Sequence, residues 1–342
     1  MDKKSRRIDL KRDHLRINTE RDVQSGLTNG LERIILEHQA LPELDFSRID
    51  IQAELFSKTL HAPVFISSMT GGIPESIEIN RILAEAAQIA GIAMGVGSQR
   101  AALEFPDLME TFKVRKYAPD ILLFANLGAV QLNYSFGPDQ CRKAVEAIEA
   151  DALILHLNPI QEALQLDGNT NFSGLLKKIE MVCKNLHVPV VVKEVGWGIS
   201  ERVARHLISA GVAAIDVAGA GGTSWSEVEK YRLEDPQDYK VAEPFKNWGI
   251  STVQSIHNVR KASPDVLVFA SGGLRTGVDI AKCIALGASL CGMAGVFLRA
   301  VTISLDELQK TIWRIIQQLK ISMFAAGASD LNSLRRVRII EK

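Results

Sequence analysis

From residue 62 onward the chain alternates between two apolar rhythms. Eight short runs are apolar at nearly every position: 64–69, 93–98, 122–127, 152–157, 190–195, 214–218, 266–271 and 290–296. Between and after them, at 75–90, 106–117, 138–149, 173–186, 200–210, 251–263, 277–286 and 304–325, apolar residues recur every three to four positions, the spacing of one helix face. Strands that are apolar throughout, rather than at alternate positions, belong to a parallel sheet covered on both sides. Eight strand–helix units over about 260 residues predict an α/β fold of the (β/α)8 TIM-barrel type. An open doubly wound sheet is the main rival, and it rarely needs eight consecutive units.

Two stretches stand outside this rhythm. Residues 1–61 form an N-terminal extension ahead of a single barrel domain at 62–342. The extension opens with Lys3, Lys4, Arg6, Arg7, Lys11, Arg12, His14 and Arg16, and no strand signal appears before Val64. It reads as a solvated tail, with a basic arm that closes over an anion as the functional alternative. Residues 45–56 alternate weakly and suit a short strand or a cover. The second stretch, 225–248, is too long for a plain strand-to-helix loop and is rich in charge and aromatics. A lid is the expectation there, with a flexible loop or an oligomer contact as alternatives.

In a parallel barrel ligands bind where strands end, so the residues just past each apolar run carry the chemistry. Ala152-Leu-Ile-Leu155 runs into His156, Asn158, Gln161 and Glu162. His156 and Asn158 share a strand face, Pro159 stops the ladder, and Gln161 and Glu162 fall in the loop beyond. Each alone reads as a satisfied buried side chain or a solvated one; four polar groups at one strand end point to a site. Lys193 closes the fifth run, where a lysine aimed into the mouth needs an anion or a polar ring. Glycine-rich turns, Ser271-Gly-Gly-Leu-Arg-Thr-Gly277 and Gly292-Met-Ala-Gly295, follow the seventh and eighth runs. Barrels keep a phosphate at that position, against backbone N–H groups left free by the turn. A phosphate there, polar groups at the first, third and fifth strand ends, and a lysine near a ring edge describe an FMN site.

Composition narrows the class further. At 342 residues, 46% hydrophobic and 23% charged, with 40 basic against 40 acidic residues, the chain gives no electrostatic sign of nucleic acid or a membrane surface. Cys141, Cys183, Cys283 and Cys291 have no metal-ligand spacing and read as reduced thiols. No signal-peptide pattern and no apolar run of ~20 residues is present, so a cytoplasmic location is expected.

Several ordered motifs then make the chain similar to a known family. They are Met69-Thr-Gly-Gly72, Val96-Gly-Ser-Gln99, Phe124-Ala-Asn-Leu-Gly128, His156-Leu-Asn-Pro-Ile-Gln-Glu162, Val192-Lys-Glu-Val-Gly196, Gly221-Gly-Thr223, Trp248-Gly-Ile-Ser-Thr252, Ala270-Ser-Gly-Gly273 and Gly292-Met-Ala-Gly295. In this order they resemble the type 2, FMN-dependent isopentenyl-diphosphate isomerase family, over most of the chain. The resemblance implies reversible conversion of isopentenyl diphosphate to dimethylallyl diphosphate in isoprenoid biosynthesis, with reduced FMN as acid–base cofactor, Mg²⁺, and NAD(P)H as reductant. It implies that Met69, Thr70, Gly71, Ser98, Asn126, Lys193 and Thr223 hold the ring and ribityl chain, and that Gly272, Gly273, Arg275, Ala294 and Gly295 line the phosphate. Ser98, Gln99, Arg100, His156, Asn158 and Gln161 would meet the diphosphate substrate, with Glu162 on Mg²⁺. Gln161, His156 and Lys193 are the candidates for the chemistry. The family shows Arg-Lys-x-x-His near its start, and here the matching stretch is Leu10-Lys-Arg-Asp-His14; Lys11 and His14 keep register, and Arg12, Arg6 or Arg7 supplies the missing charge. A homotetramer or larger homo-oligomer is implied. The rivals are an FMN-dependent 2-hydroxy-acid oxidase or dehydrogenase and a non-catalytic flavin-binding barrel. The oxidase needs a His base just past the seventh strand, and His257 precedes that strand instead.

Overall fold

In the computed structural model, which describes residues 2–342, the chain opens not with a tail but with an 18-residue helix, α1 (Lys3–Glu20), capped by the Asp2 carboxylate accepting from the Ser5 N–H. The expectation of a solvated tail fails because what holds this helix is tertiary. Ile17 is buried, Ile8 and Leu15 pack on the core, and Lys3 and Arg7 reach Glu104, Lys4 reaches Asp107 and Arg12 reaches Glu75. None of those partners is close in sequence.

Beyond α1, residues 23–29 are stitched along the later glycine loops. Ser25 donates its N–H to Gly222 O (2.8 Å), Ser224 donates to Val23 O (2.8 Å), and the Asn29 amide donates to Gly273 O (2.8 Å). Strand β1 (Ile34–Leu36) pairs antiparallel with the C-terminal strand, and 46–48 make one 3-10 turn. A hairpin of β2 (Ala53–Leu55) and β3 (Lys58–Leu60) follows, its Leu55 and Leu60 buried against the closed end of the barrel.

The barrel strands are β4 (Val64–Ile66), β5 (Ala93–Gly95), β6 (Leu123–Gly128), β7 (Ala152–His156), β8 (Val190–Lys193), β9 (Ala214–Asp216), β10 (Leu267–Ala270) and β11 (Leu290–Met293). They are parallel and close into an eight-stranded barrel, β11 pairing with β4. Between them run α2 (Glu75–Ala90), α3 (Arg100–Glu104), α4 (Pro138–Ala147), α5 (Pro159–Leu164), α6 (Leu175–Asn185), α7 (Glu201–Ser209), α8 (Trp225–Lys230), α9 (Pro236–Ala242), α10 (Thr252–Ala262) and α11 (Gly277–Ala285). The chain ends with α12 (Gly295–Val301), α13 (Leu305–Ala325), α14 (Leu331–Leu334) and β12 (Ile339–Glu341).

The helix expected over 106–117 is absent; that stretch is two 3-10 segments. Phe105 precedes Pro106 and takes extended angles, which ends α3 and prevents a continuous helix. The 225–248 insertion is also not a loose lid: Ser226, Glu227, Val228 and Glu229 of α8 are buried, and α8 packs on α5.

Side chains inside the barrel fall into two layers. Below, Phe65, Phe124 and Phe269 meet with ring centroids 5.9–6.0 Å apart, joined by Ile154, Val191 and Ala214. Two residues further along, the inward position turns polar on six of the eight strands: Ser67, Asn126, His156, Lys193, Asp216 and Ser271. Pairing of His156 with Lys193 and of Lys193 with Asp216 in the strand register sets three of these side by side. The apolar layer closes the barrel and the polar layer floors its mouth.

Candidate active site

Above that polar floor the mouth opens into a cavity of about 350 Å³, roofed by α1 and walled on one side by Trp225 of α8. Of the residues expected there, Met69, Thr70, Ser98, Arg100, Asn126, His156, Asn158, Gln161, Glu162, Lys193, Thr223, Gly272, Gly273, Arg275, Ala294, Gly295, Lys11 and His14 all line it.

Three expected residues do not. Gln99 is fully buried behind the wall, where its amide donates to Ala144 O (2.8 Å) and accepts from the Asn126 N–H (3.0 Å). That amide positions Asn126 and is not free for a diphosphate. Arg12 faces outward to Glu75 (2.8 Å) and Asp9 (3.4 Å), whereas Arg7, one helical turn before Leu10, lines the cavity. Gly71 is not on the cavity surface: a Cβ there would stand 2.0 Å from the Phe112 ring, so this glycine permits packing behind the site.

The roof is crowded with cations. Arg7 and Arg100 share Glu104 (3.5 and 3.0 Å), and Lys11 lies beside both. Burial first, and then repulsion from Arg7 and Arg100, pull the Lys11 ammonium down to about 8. His156 is pushed down to about 3 by burial and then by the charges of Lys11 and Lys193. Its ring is therefore neutral near pH 7. Asn126 Oδ1 accepts from His156 Nδ1 (2.8 Å), which leaves Nε2 as an acceptor facing outward and not as an acid.

Gln161 is held from both sides. Its Oε1 accepts from Asn158 Nδ2 (3.1 Å), and its Nε2 donates to Glu229 Oε1 (3.0 Å). Glu229 also meets His14 Nε2 (2.8 Å) and the Arg232 guanidinium (2.8 Å). Burial works to raise the Glu229 carboxyl, but His14, Arg232 and the Gln161 amide outweigh it and hold it below the usual value. Glu229 was invisible as a site residue because it sits in a charge-rich insertion with no strand-end signal. Glu162 accepts from Asn158 Nδ2 (3.1 Å) and from the Asn169 N–H (2.5 Å). Glu194, the neighbour of Lys193, turns away from the cavity and accepts the N–H groups of Val195, Gly196 and Trp197 (2.6–2.7 Å).

The donor set fits FMN. Ser67 Oγ, Ser68 Oγ and Asn158 Oδ1 are buried polar atoms at the cavity without a partner in the protein, as a heteroaromatic ring and its side chain require. The loops after β9 and β10 touch backbone to backbone: a Cβ on Gly272 (φ +102°) would lie 2.1 Å from Gly219 O, and one on Gly273 (φ +81°) 2.3 Å from Gly221 O. Arg275 and Arg299 flank those turns and the start of α12, which suits a phosphate.

Comparison with known proteins agrees. Residues 165–341 match the FMN-dependent dehydrogenase family. Solved structures of mandelate oxidase share the fold, one with TM-score 0.68 at 17% identity, covering 99% of both chains. Curated relatives named isopentenyl-diphosphate delta-isomerase are much nearer in sequence. That of Rickettsia bellii is 49% identical over 97% of this chain and 98% of its own, and that of a Synechocystis species is 52% identical over 97% and 95%. A Nostoc relative of the same name is 51% identical over 95% and 93%. With its FMN-type barrel and this identity along nearly its whole length, the chain belongs to the isopentenyl-diphosphate delta-isomerase family.

Proposed function

We propose that this chain interconverts isopentenyl diphosphate and dimethylallyl diphosphate, a 1,3-shift of a proton across a double bond with no net redox change. The observation that carries this reading is the cation cluster: Lys11, Arg7 and Arg100 are brought together over a neutral His156 and a doubly anchored Gln161. Three adjacent cations with only Glu104 shared by two of them call for a polyanion, and a diphosphate supplies it.

Each residue then has a task. Arg7, Lys11, Arg100 and His14 bind the diphosphate under the roof, with Ser98 and Asn158 at its edge. His156 offers Nε2 as an acceptor. Gln161 cannot give up a proton itself near pH 7. Clamped between Asn158, which donates to its Oε1, and the ionised Glu229, which accepts from its Nε2, it orients the substrate carbons. Met69, Thr70, Ser98, Asn126, Lys193 and Thr223 would hold FMN, and Gly272, Gly273, Arg275, Ala294 and Gly295 its phosphate. Reduced FMN, when bound, would supply ring nitrogens able to exchange protons. Glu162 would give Mg²⁺ one carboxylate, the rest of the shell coming from the diphosphate and water. The roof excludes water from the reacting carbons.

NAD(P)H serves as the reductant, and the working form is a cytoplasmic homotetramer or larger assembly. No helix among the described residues is long and apolar enough to cross a membrane. Exposed Trp313, Ile321 and Ile303 on and beside α13 support assembly. The 2-hydroxy-acid oxidase reading gains nothing: His257 lies on α10 and pairs with Glu341 (3.2 Å), away from the cavity.

The test is anaerobic: purified protein, isopentenyl diphosphate, Mg²⁺, FMN and NADPH, following dimethylallyl diphosphate. Product that vanishes when the flavin is left oxidised is the expected result. Flavin-bound protein without product, but with flavin reduced by a 2-hydroxy acid, overturns it.

A further inference from the structure

Lys193 enters the cavity floor at the end of β8, where its ammonium makes one ion pair and two hydrogen bonds within the protein. Nζ lies 3.1 Å from Asp216 Oδ2, donates to Glu194 O at 3.0 Å, and reaches Ser271 Oγ at 3.3 Å. Asp216 is the anchor of this arrangement. It is fully buried at the end of β9, and its Oδ1 accepts from Ser271 Oγ at 2.6 Å and from the Ala218 N–H at 3.3 Å. Unlike Lys193, it does not line the cavity.

We propose that Asp216 is a positioning residue for Lys193, holding the ammonium in one orientation at the cavity floor so that the site favours an anionic occupant there. The inference rests on the reading of the cavity as an FMN site, and it concerns how the chain separates the oxidised from the reduced cofactor. A cation sealed into a barrel throat without a counter-ion is costly; one paired with a carboxylate and hydrogen-bonded to two further groups is held in a single orientation. Asp216 provides the pairing and Ser271 locks the carboxylate that provides it. Because strand pairing sets Lys193 directly beside Asp216, backbone register alone brings the two together. A local side-chain swap elsewhere could not replace it. Reduced FMN would carry more negative charge than the oxidised form for Lys193 to attract. Asp216 thereby acts on the ratio of reduced to oxidised FMN affinity without touching FMN.

The experiment measures dissociation constants of oxidised and dithionite-reduced FMN, under argon, for the wild type, Asp216→Asn, Lys193→Met and the double variant. In Asp216→Asn, reduced FMN is expected to bind more weakly by on the order of ten-fold, while oxidised FMN, anchored by its phosphate, stays within about three-fold. The double variant is expected to be no worse in this ratio than Lys193→Met, because Asp216 acts only through the lysine. An unchanged ratio in Asp216→Asn, a shift toward the reduced form, or losses that add in the double variant overturn the proposal. If Asp216→Asn fails to fold, Ser271→Ala retains the carboxylate and removes its lock; a smaller shift in the same direction supports the proposal and no shift overturns it. A wild type that takes up no FMN instead removes the functional reading itself, and does so before any variant is made.

Discussion

Lys11 shows how far one side chain's surroundings decide its use. Burial beside Arg7 and Arg100 lowers it from 10.5 to about 8. Its folded-state value is thus below the unfolded one, so between these limits the unfolded chain binds more protons, and stability rises as pH rises from about 8 toward 10.5. A bound polyanion has the opposite demand, because it needs the charged form. The affinity for isopentenyl diphosphate is therefore expected to fall as pH rises through about 8, and Lys11→Ala is expected to remove that part of the fall. Calorimetric titrations of both proteins from pH 6.5 to 9.5 check this, since the ligand's own ionisation cancels in the difference; parallel curves would falsify it. The sequence showed Lys11 and His14 as arm residues, but not which way a helix turns them. On α1, Lys11 and Arg7 are four apart and face the cavity together, while Arg12 faces Glu75. A strand end was legible because polar residues follow an apolar run, which is how His156, Asn158 and Gln161 stood out. Asp216 left a fainter trace, a charge inside Ala214-Ile-Asp-Val-Ala218. Glu229 left none.

Among the elements, α1 is the one least predictable from its own residues and most dependent on charge. Its apolar positions are too few for an amphipathic stripe, and an isolated helix of this length is marginal in water. The barrel helices, by contrast, are specified by their own periodicity: α2, α7 and α13 lie within a residue of the spans read from it. What fixes α1 over the cavity is Ile17 together with the ion pairs to Glu104, Asp107 and Glu75, and a further contact of Arg232 with Asp13 at 3.6 Å. The Lys4–Asp107 and Arg12–Glu75 pairs are exposed, and exposed pairs are weak and screened by salt. Hydrogen exchange at the amides of α1 is thus expected to quicken several-fold between 50 mM and 500 mM salt, with α7 unaffected. Glu104→Gln should quicken it further at low salt, since that carboxylate joins Lys3, Arg7 and Arg100. Equal protection of α1 at both salt concentrations would mean that apolar docking alone closes the roof.

On the scale of the whole molecule, the barrel interior separates stability from chemistry by height. None of Phe65, Phe124 and Phe269 lines the cavity; their layer lies below the polar floor and is plugged from beneath by the β2–β3 hairpin, whose Phe56 ring lies 6.3 Å from that of Phe269. The polar floor begins only two residues further along the same strands, so the two layers share backbone but not side chains. Residues at the closed end of such barrels serve stability and those at the strand C-termini serve function. Phe269 tests whether that division holds here, because Ser271, which locks Asp216, is the next inward residue on its strand. Phe269→Ala leaves a cavity in a close-packed layer and is expected to cost about 3–5 kcal/mol in urea unfolding. If the layers are independent, oxidised FMN affinity in the folded variant stays within about three-fold of wild type, since the β9–β10 backbone ladder holds Ser271 in place. A large loss of FMN binding by a variant that is still folded would show instead that the aromatic layer sets the height and tilt of the polar floor. Chemistry and stability would then not be separable in this barrel.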